Sequence, residues 1–341
     1  MKGKRISLAD IANELGVSKT TVSFVLNGHA ETKKISKKTQ ERVEALVAKY
    51  NYRPNAVARN LRLGSTKVIG LIVPDISNPY YAKIARMLED QASDKGYHVI
   101  FGSSSESIER ERSILAKFRQ QSVDGILLAS ADVNSPHIEE LAGSGLPVVL
   151  FDRIASSSEV KLSSIGVDNK SAMRQVTKRL LANGSKRIAM VCNHIGQLAT
   201  DSRVEGYQEA MNDANIQMES NWLQEVNESA GKSMDTIMAE LLNAKQPVDA
   251  VVFSNSLLAQ DGLKSIHQNH AEQIANLQLG CFDKLDLFDY VTPKVVYAEQ
   301  PNEAIVRSAF ETLLAQLPGQ AKQQKEPAAC TKVLHEVKVA V

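Results

Sequence analysis

The sequence predicts a small all-α head followed by a larger α/β body, and three observations support this fold class. Up to Ser65, apolar residues recur at the three- and four-residue spacing of short amphipathic helices. From Thr66 onward, short apolar runs alternate with amphipathic stretches, a pattern typical of doubly wound parallel sheets. Charge divides at the same point: residues 1–65 carry 13 Lys and Arg against 5 Asp and Glu, or +8, and the remainder carries 27 against 34, or −7.

The composition is that of a globular chain without a membrane-spanning or exported segment. The 341 residues are 43% hydrophobic and 23% charged, which is enough for more than one hydrophobic core. No apolar run approaches the ~18 residues of a membrane span, and the N-terminal lysines precede no apolar signal segment. The three cysteines, Cys192, Cys281 and Cys330, are far apart and favour a reducing compartment. We therefore expect a cytoplasmic protein.

The head has the spacing of a helix-turn-helix. Ser7 can cap a first helix that ends at Gly16, and Ser18 can cap a second helix closed by Asn27. A third helix is expected from residue 37 or 38 to about residue 50, where its apolar face would complete a three-helix core. Two short helices joined by a tight glycine-containing turn form the helix-turn-helix motif.

This motif predicts which head residues contact DNA. Its second helix enters the major groove, so the lysine and hydroxyl side chains at its start face base edges and phosphates. Lys33 and Lys34, in the loop that follows, are better suited to phosphates because flexible lysines act as point charges. The predicted DNA-contacting residues of the head are Ser7, Ser18, Lys19, Thr20, Thr21, Ser23, Asn27, Lys33, Lys34, Ser36 and Tyr52.

Longer stretches of the chain resemble one family. ADIANELGVSKTTVSFVLNG, ISKKTQERVEALVAKYNYRPNAVARNLR and STKVIGLIVPDISNPYY are similar to the lactose-repressor/galactose-repressor (LacI/GalR) family of bacterial transcription regulators. The resemblance implies a repressor that binds a pseudo-palindromic DNA operator as a homodimer, with a periplasmic-binding-protein-like body. The loop GHAETKK is most similar to the fructose- and sucrose-type repressors. Many members carry arginine where this chain has Phe24, which either packs beside the turn or contacts a thymine methyl group.

The resemblance also divides the chain into a DNA-binding domain at 1–53, a hinge helix at 54–65 and an effector-binding and dimerisation domain at 66–341. The hinge, PNAVARNLRLGS, carries Val57 and Leu61 on one helical face. By resemblance, Leu61 inserts into the minor groove, where an apolar wedge bends the duplex. The predicted DNA-contacting residues of the hinge are Asn55, Ala58, Arg59 and Leu61.

The body is expected to contain two similar doubly wound subdomains. The first should span about 66–164 and 298–327, and the second about 165–297 and 328–341. Ligands of such sheets bind beyond the carboxyl ends of the strands, so residues that directly follow the strands are candidates. Resemblance supports Asp152, Arg203, Asp283 and Gln300 in particular. The predicted effector-binding residues are Tyr80, Tyr81, Ser130, Asp152, Arg203, Asn255, Asp283 and Gln300.

These side chains suit a polyhydroxylated ligand, because carboxylates accept hydrogen bonds from hydroxyl groups and a guanidinium group donates to them. A sugar or sugar phosphate is the first expectation for the effector, and a nucleoside or purine is the alternative. Val226 stands where many sugar-binding members carry an aromatic residue.

The sequence does not contain the common catalytic and metal-binding motifs. The sequence contains no nucleophile elbow or phosphate-binding loop, and His267 and His270 lack a third metal ligand nearby. We therefore expect no enzyme activity, no cofactor and no metal. A sugar-binding protein of the transport or sensing type is the competing class, against which the basic head and the missing export signal argue.

Overall fold

The computed structural model describes residues 6–52, 65–154, 161–193, 198–318 and 330–341. The chain forms two compact units, Met1–Thr66 and Lys67–Val341. The predicted hinge residues Asn55, Ala58, Arg59 and Leu61 lie outside the described residues.

The head contains three helices, α1 (Leu8–Leu15), α2 (Lys19–Leu26) and α3 (Lys37–Lys49). Ser7 and Asp10 form a reciprocal capping box at the start of α1, and Gly16 ends that helix with a left-handed φ of 69°. Ser18 and Ser36 cap α2 and α3 by accepting from the backbone N–H groups of Thr21 and Thr39. The three helices enclose a core of Ile11, Ala12, Val22, Val25, Ala30 and Val43. The predicted helix-turn-helix is confirmed.

The body contains two six-stranded sheets. The first has the strand order β11-β5-β4-β3-β1-β2, and all its paired strands are parallel. Its strands are β1 (Val68–Val73), β2 (His98–Ser103), β3 (Gly125–Leu128), β4 (Val148–Phe151), β5 (Ser163–Val167) and β11 (Lys332–His335).

The second sheet has the order β12-β10-β9-β8-β6-β7, and within it only β12 pairs antiparallel. Its strands are β6 (Ile188–Cys192), β7 (Leu223–Glu225), β8 (Ala250–Phe253), β9 (Gln278–Phe282), β10 (Val295–Glu299) and β12 (Lys338–Ala340). The two sheets therefore repeat one topology, which confirms the predicted α/β class.

Eight helices of the described part of the body connect these strands. They are α4 (Pro79–Asp94), α5 (Ile108–Gln120), α6 (Pro136–Ala142), α7 (Asn169–Ala182), α8 (Leu198–Asp213), α9 (Met234–Leu242), α10 (Ser256–Asn269) and α11 (Asn302–Gln316). The central strands β3, β4, β5, β6 and β8 are buried along their whole length, as expected for parallel sheets covered on both faces.

The structure corrects the predicted subdomain limits at three places, one of which is the limit at 297/298, which falls inside β10 of the second sheet. The boundary near residue 165 falls inside β5, which pairs with β4 along its length, so the chain leaves the first sheet only after Val167. A parallel strand must reach the carboxyl edge of its sheet before the chain can cross. The tail at 328–341 does not belong wholly to the second subdomain, because β11 pairs with β5 and only β12 joins the second sheet.

Candidate functional site

A cavity of about 180 Å³ lies at the carboxyl ends of the strands, between the two subdomains. Six of the eight predicted effector residues line it: Tyr80, Tyr81, Asp152, Arg203, Asn255 and Asp283. Gln300 lines an adjoining cavity of about 150 Å³ that shares Tyr80 and Asp283 with the first. The alternating strands and helices thus bring together side chains that are far apart in the sequence.

Two equivalent corners supply the carboxylates of the cavity. Strands β4 and β9 both end in Phe-Asp, and the aspartates Asp152 and Asp283 have left-handed φ values of 65° and 78°. Aspartate tolerates this conformation better than most residues with a side chain. The sharp turn directly after each strand places a buried carboxyl group at the end of each sheet.

Arg203, in the first part of α8, is held in a fixed orientation. Its Nε donates to Asn169 Oδ1 at 2.8 Å, and Nη1 donates to the carbonyl oxygen of Ser254 at 2.8 Å. Its Cζ lies 3.5 Å from the centroid of the Phe282 ring, a close cation–π contact. Among the described residues, Nη2 makes no hydrogen bond, so this arginine can still donate to a ligand.

The carboxyl group of Asp283 is tuned by its surroundings. Its Oδ1 accepts a hydrogen bond of 2.6 Å from Gln300 Nε2. Burial, with a smaller contribution from Asp152, raises the pKa of Asp283 to about 6, although Arg203 and Gln300 oppose the shift. At neutral pH the group is therefore mostly ionised but poorly solvated.

The two tyrosines at the start of α4 differ in their bonding. Tyr81 donates from its hydroxyl to Asp152 Oδ2 at 2.7 Å and so orients that carboxylate. Tyr80 is buried, and its hydroxyl has no hydrogen-bond partner among the described residues. Burial, followed by the charge of Asp152, raises the pKa of Tyr80 well above its usual value, so the phenol stays protonated. An unpaired buried hydroxyl is costly unless a ligand or water satisfies it.

Asn255 lies at the start of α10, where it performs a structural task. Its Oδ1 accepts from the backbone N–H of Leu258 at 3.0 Å, and its Nδ2 donates to Asn193 Oδ1 at 3.0 Å. The side chain lines the cavity while it caps the helix.

Ser130 is the one predicted effector residue that lies in neither cavity. Its hydroxyl donates to Glu111 Oε1 at 2.8 Å, and Glu111 also accepts from the backbone N–H of Ala131 and contacts His137 Nε2 at 2.6 Å. All of these groups are buried. A buried glutamate, invisible in the local pattern, thus engages the Ser130 hydroxyl, and the effector contact of Ser130 stays a prediction.

Several residues that line the cavity were not among the predicted effector residues. They are Asp75, Asn78, Glu106, Arg153, Asn193, Ala199, Thr200 and Leu257. Arg153 forms a bidentate ion pair with Glu106, with N–O distances of 2.6 and 2.7 Å. The sequence offered one signal for Arg153, its position directly after the strand-end Asp152, whereas Glu106 follows no strand directly.

The head presents its predicted DNA-contacting side chains at the start of α2. Ser18, Lys19 and Thr20 are exposed there. Thr21 and Ser18 have their hydroxyl oxygens 2.9 Å apart, and Ser18 also caps the helix. At the other end of α2, Asn27 donates to the carbonyl oxygen of Ser23 at 2.6 Å. These polar groups therefore share one helix.

The loop after α2 carries the predicted phosphate contacts. Lys33 and Lys34 are exposed, and Lys33 Nζ lies 5.3 Å from the centroid of the Phe24 ring. Phe24 is half-buried, so part of its ring packs in the head. Tyr52 is also half-buried and packs against the head core, where burial raises its pKa.

Neither a metal site nor a membrane-spanning helix is found among the described residues. No group of three His, Cys, Asp or Glu residues within them is arranged to hold a metal ion. None of their helices has both the length and the apolar character needed to cross a membrane.

Comparison with known proteins connects both units to one family. A family model described as "Bacterial regulatory proteins, lacI family" matches residues 7–55. A second model, "Periplasmic binding proteins and sugar binding domain of LacI family", matches residues 66–312.

Individual relatives and a solved structure support the same family assignment. The chain is 30% identical over 298 residues to the ribose operon repressor of Halalkalibacterium halodurans, which covers 86% of this chain and 85% of that protein. It is 29% identical over 324 residues to the HTH-type transcriptional repressor PurR of Vibrio campbellii, with 94% of each chain covered. The solved structure of the lac repressor dimer bound to operator and the anti-inducer ONPF has a TM-score of 0.81 at 22% identity, covering 99% of this chain and 98% of that one. This chain therefore belongs to the LacI family of bacterial regulatory proteins and is a DNA-binding transcriptional regulator.

Proposed function

We propose that this regulator is a cytoplasmic repressor that binds a pseudo-palindromic operator as a homodimer and responds to a sugar or sugar phosphate bound in the cleft of its body. The observation that carries the proposal is the buried set of Asp152, Asp283 and Arg203, which meets in one cavity from both subdomains. The body acts by binding, without chemistry on the ligand.

The polar groups of the cavity match a polyhydroxylated ligand. Asp152 and Asp283 can accept from hydroxyl groups, Arg203 can donate through Nη2, and the hydroxyl of Tyr80 can do either. Hydrogen bonds to charged groups each contribute about 1.5–3 kcal/mol. Because the acceptors come from both sheets, one ligand can contact both subdomains at once.

A nucleoside is a weaker fit for the same space. A purine ring binds best between apolar or aromatic faces, whereas the described lining is dominated by carboxylate, amide and guanidinium groups. The Tyr80 and Tyr81 rings pack edge to face against each other, with centroids 5.0 Å apart and planes inclined by 66°.

The head supplies the electrostatic part of DNA binding. The charge of +8 on residues 1–65 suits a polyanion, and exposed Lys19, Lys33 and Lys34 lie on α2 and the loop after it. Lys19 and Thr20 are placed to meet base edges if α2 enters the major groove. The specific similarity of this loop to fructose- and sucrose-type repressors stays a prediction.

The segment 54–65 is the proposed coupling element. A helix this short is unstable alone in water, because nucleation is costly. Paired with its symmetry mate on the operator, it would bury Val57 and Leu61, while Asn55 and Arg59 contact the backbone and Ala58 allows close approach. Effector binding would then act by changing the separation at which two bodies hold these segments.

A mobility-shift titration tests the proposal. DNA from upstream of the protein's own gene should be retarded at nanomolar protein, and a sugar that stabilises the protein in a thermal-shift screen should change that affinity. A transport-type protein would bind the sugar but give no specific shift over random DNA of equal length. That outcome would refute the regulatory role.

A further inference from the structure

The charges in the cleft select among the ligands that the proposed function allows. The described residues that line the main cavity include four acidic groups, Asp75, Glu106, Asp152 and Asp283, against two basic groups, Arg153 and Arg203. The adjoining cavity adds Lys83 and Lys284 against Asp286 and Glu299, which leaves the balance at two excess negative charges. A dianionic phosphate group would therefore enter a field of its own sign.

One of the two arginines is already neutralised. Glu106 holds both terminal nitrogens of Arg153 through a planar, bidentate pair, the strongest geometry for this interaction. Nη1 of Arg153 also donates to the carbonyl oxygens of Ser130 and Ala131, at 3.1 and 3.4 Å. The guanidinium group thus has its charge compensated before any ligand arrives.

Neighbouring residues hold the Glu106–Arg153 ion pair in place. Ser130 and Ala131 are fixed by the buried carboxylate of Glu111. Glu106 sits in a turn in which two successive residues, Ser105 and Glu106, have left-handed φ values of 50° and 58°. Such values are uncommon for residues with side chains, so the turn is held in place by its surroundings.

Two helix N-termini beside this cleft, a usual source of phosphate binding, each have a backbone N–H taken by a capping side chain. Asn78 accepts from the backbone N–H of Tyr80 at 3.0 Å at the start of α4, and Asn255 accepts from Leu258 N–H at the start of α10. These amide groups already have partners, so they are not offered to an anion. Arg203 is left as the main donor, and its remaining nitrogen suits a hydroxyl group.

We propose that the cleft takes a neutral, unphosphorylated sugar and rejects the corresponding phosphate ester, with the Glu106–Arg153 pair as the specificity determinant. This rests on the proposed sugar-binding function. The mechanism is electrostatic: Glu106 neutralises one of the two arginines that could otherwise compensate a phosphate, and its own carboxylate repels a phosphate.

The test uses the full chain and matched probe pairs. Thermal-shift and calorimetric titrations are run with D-ribose and D-ribose 5-phosphate, D-glucose and D-glucose 6-phosphate, and D-fructose and D-fructose 1-phosphate. For whichever pair binds, we expect the neutral sugar to bind at least tenfold more tightly than its ester. An ester that binds as tightly as its parent sugar, or more tightly, overturns the proposal.

Variants separate charge from shape. Glu106→Gln keeps the size of the side chain but frees Arg153 from its counter-charge, so the preference for the neutral sugar should shrink by at least threefold. Glu140→Gln removes a carboxylate from an exposed ion pair with Arg112, outside both cavities, and should leave the preference unchanged. An unaltered preference in Glu106→Gln would refute the role of this pair. Failure of every sugar and every ester to bind would refute the underlying sugar-binding function.

Discussion

Asp283 should contribute to ligand binding at the expense of stability, and Asp283→Asn separates the two effects. Asparagine has nearly the same size and tolerates the left-handed backbone observed here, where φ is 78°. It can also accept the hydrogen bond that Gln300 Nε2 gives to Oδ1. The substitution therefore acts as a permanently protonated aspartate and removes little besides charge.

The magnitude of the stability effect follows from the pKa. Asp283 has a pKa of about 6 in the folded chain, above the usual aspartate value of 3.8, with burial as the main cause. The folded state thus binds the proton more tightly than the unfolded state. The associated stability is fully present below pH 3.8 and is lost as pH rises through about 6. This difference in pKa lowers the free energy of unfolding by about 3 kcal/mol at pH 7.5. At pH 5 the free energy of unfolding is lowered by about half as much.

Ligand binding should change in the opposite direction. A sugar that donates two hydrogen bonds to the ionised carboxylate would lose about 3–6 kcal/mol with asparagine, or a factor of roughly 10² or more in affinity. The wild-type affinity should itself rise about tenfold between pH 5 and pH 7.5, because only the ionised form accepts both hydrogen bonds.

Urea unfolding of the ligand-free protein at pH 5 and pH 7.5, with calorimetry of sugar binding, measures both effects. We expect Asp283→Asn to be more stable than the wild type, by a larger margin at pH 7.5. The control is Asp90→Asn, an exposed partner of Arg86, which should change the unfolding free energy by only a few tenths of a kcal/mol. A variant that is less stable at both pH values would show that the carboxylate is structural and that the reasoning is wrong.

Three further predictions concern the other parts of the molecule. Operator affinity, measured by fluorescence anisotropy, should fall steeply as the salt concentration rises. About eight phosphate contacts across a dimer give a slope of about −7 for the logarithm of the binding constant against the logarithm of salt concentration. A slope near zero would contradict DNA binding through the basic head. Gly206→Ala should lower stability by about 1–3 kcal/mol in denaturant unfolding, because the added Cβ collides with the carbonyl oxygen of Lys170. Gly143→Ala should not, because its Cβ would make only ordinary contacts at 3.8 and 3.9 Å. Leu61→Ala should weaken operator binding in a mobility-shift assay and leave sugar binding unchanged, and equal DNA affinity would make the segment a simple linker.

The sequence predicted those parts of the fold that depend on local patterns. Capping serines and a left-handed glycine define the head helices, and body strands that are continuous apolar runs, such as β1, β3, β4 and β8, are present as the alternating pattern predicts. The missed strands have different causes. β5 begins with two serines and contains a glycine, and β11 and β12 alternate exposed with half-buried residues at the edges of their sheets. Their place is decided by pairing with distant strands, which no local window contains.

The cleft shows the same division. Residues that directly follow a strand, such as Asp152 and Asp283, were found because parallel strands end at a common edge. Glu106 follows no strand directly and was not predicted, whereas the same rule selected Ser130, whose hydroxyl donates to Glu111. The partner of each side chain, Arg153 for Glu106 and Glu111 for Ser130, comes from a separate part of the sequence. Only the folded chain shows that Glu106 and Arg153 line the cavity, whereas Ser130 and Glu111 are buried and do not line it.

The positions of the two aspartates indicate how a small ligand can shift the equilibrium between arrangements of the two subdomains. Asp152 follows a strand of the first sheet and Asp283 a strand of the second, and after burial the charge of Asp152 is the other factor that raises the pKa of Asp283. The charges of these two carboxylates repel each other across the subdomain boundary. A ligand whose hydroxyl groups donate to both would replace this repulsion with attraction on each side. It would therefore bind more tightly when the subdomains are close together than when they are apart. A ligand shifts a conformational equilibrium only by such a difference in affinity, and couplings of about 1–3 kcal/mol are typical of allosteric proteins. A sugar held by only one of the two aspartates would bind the cleft and leave DNA affinity unchanged.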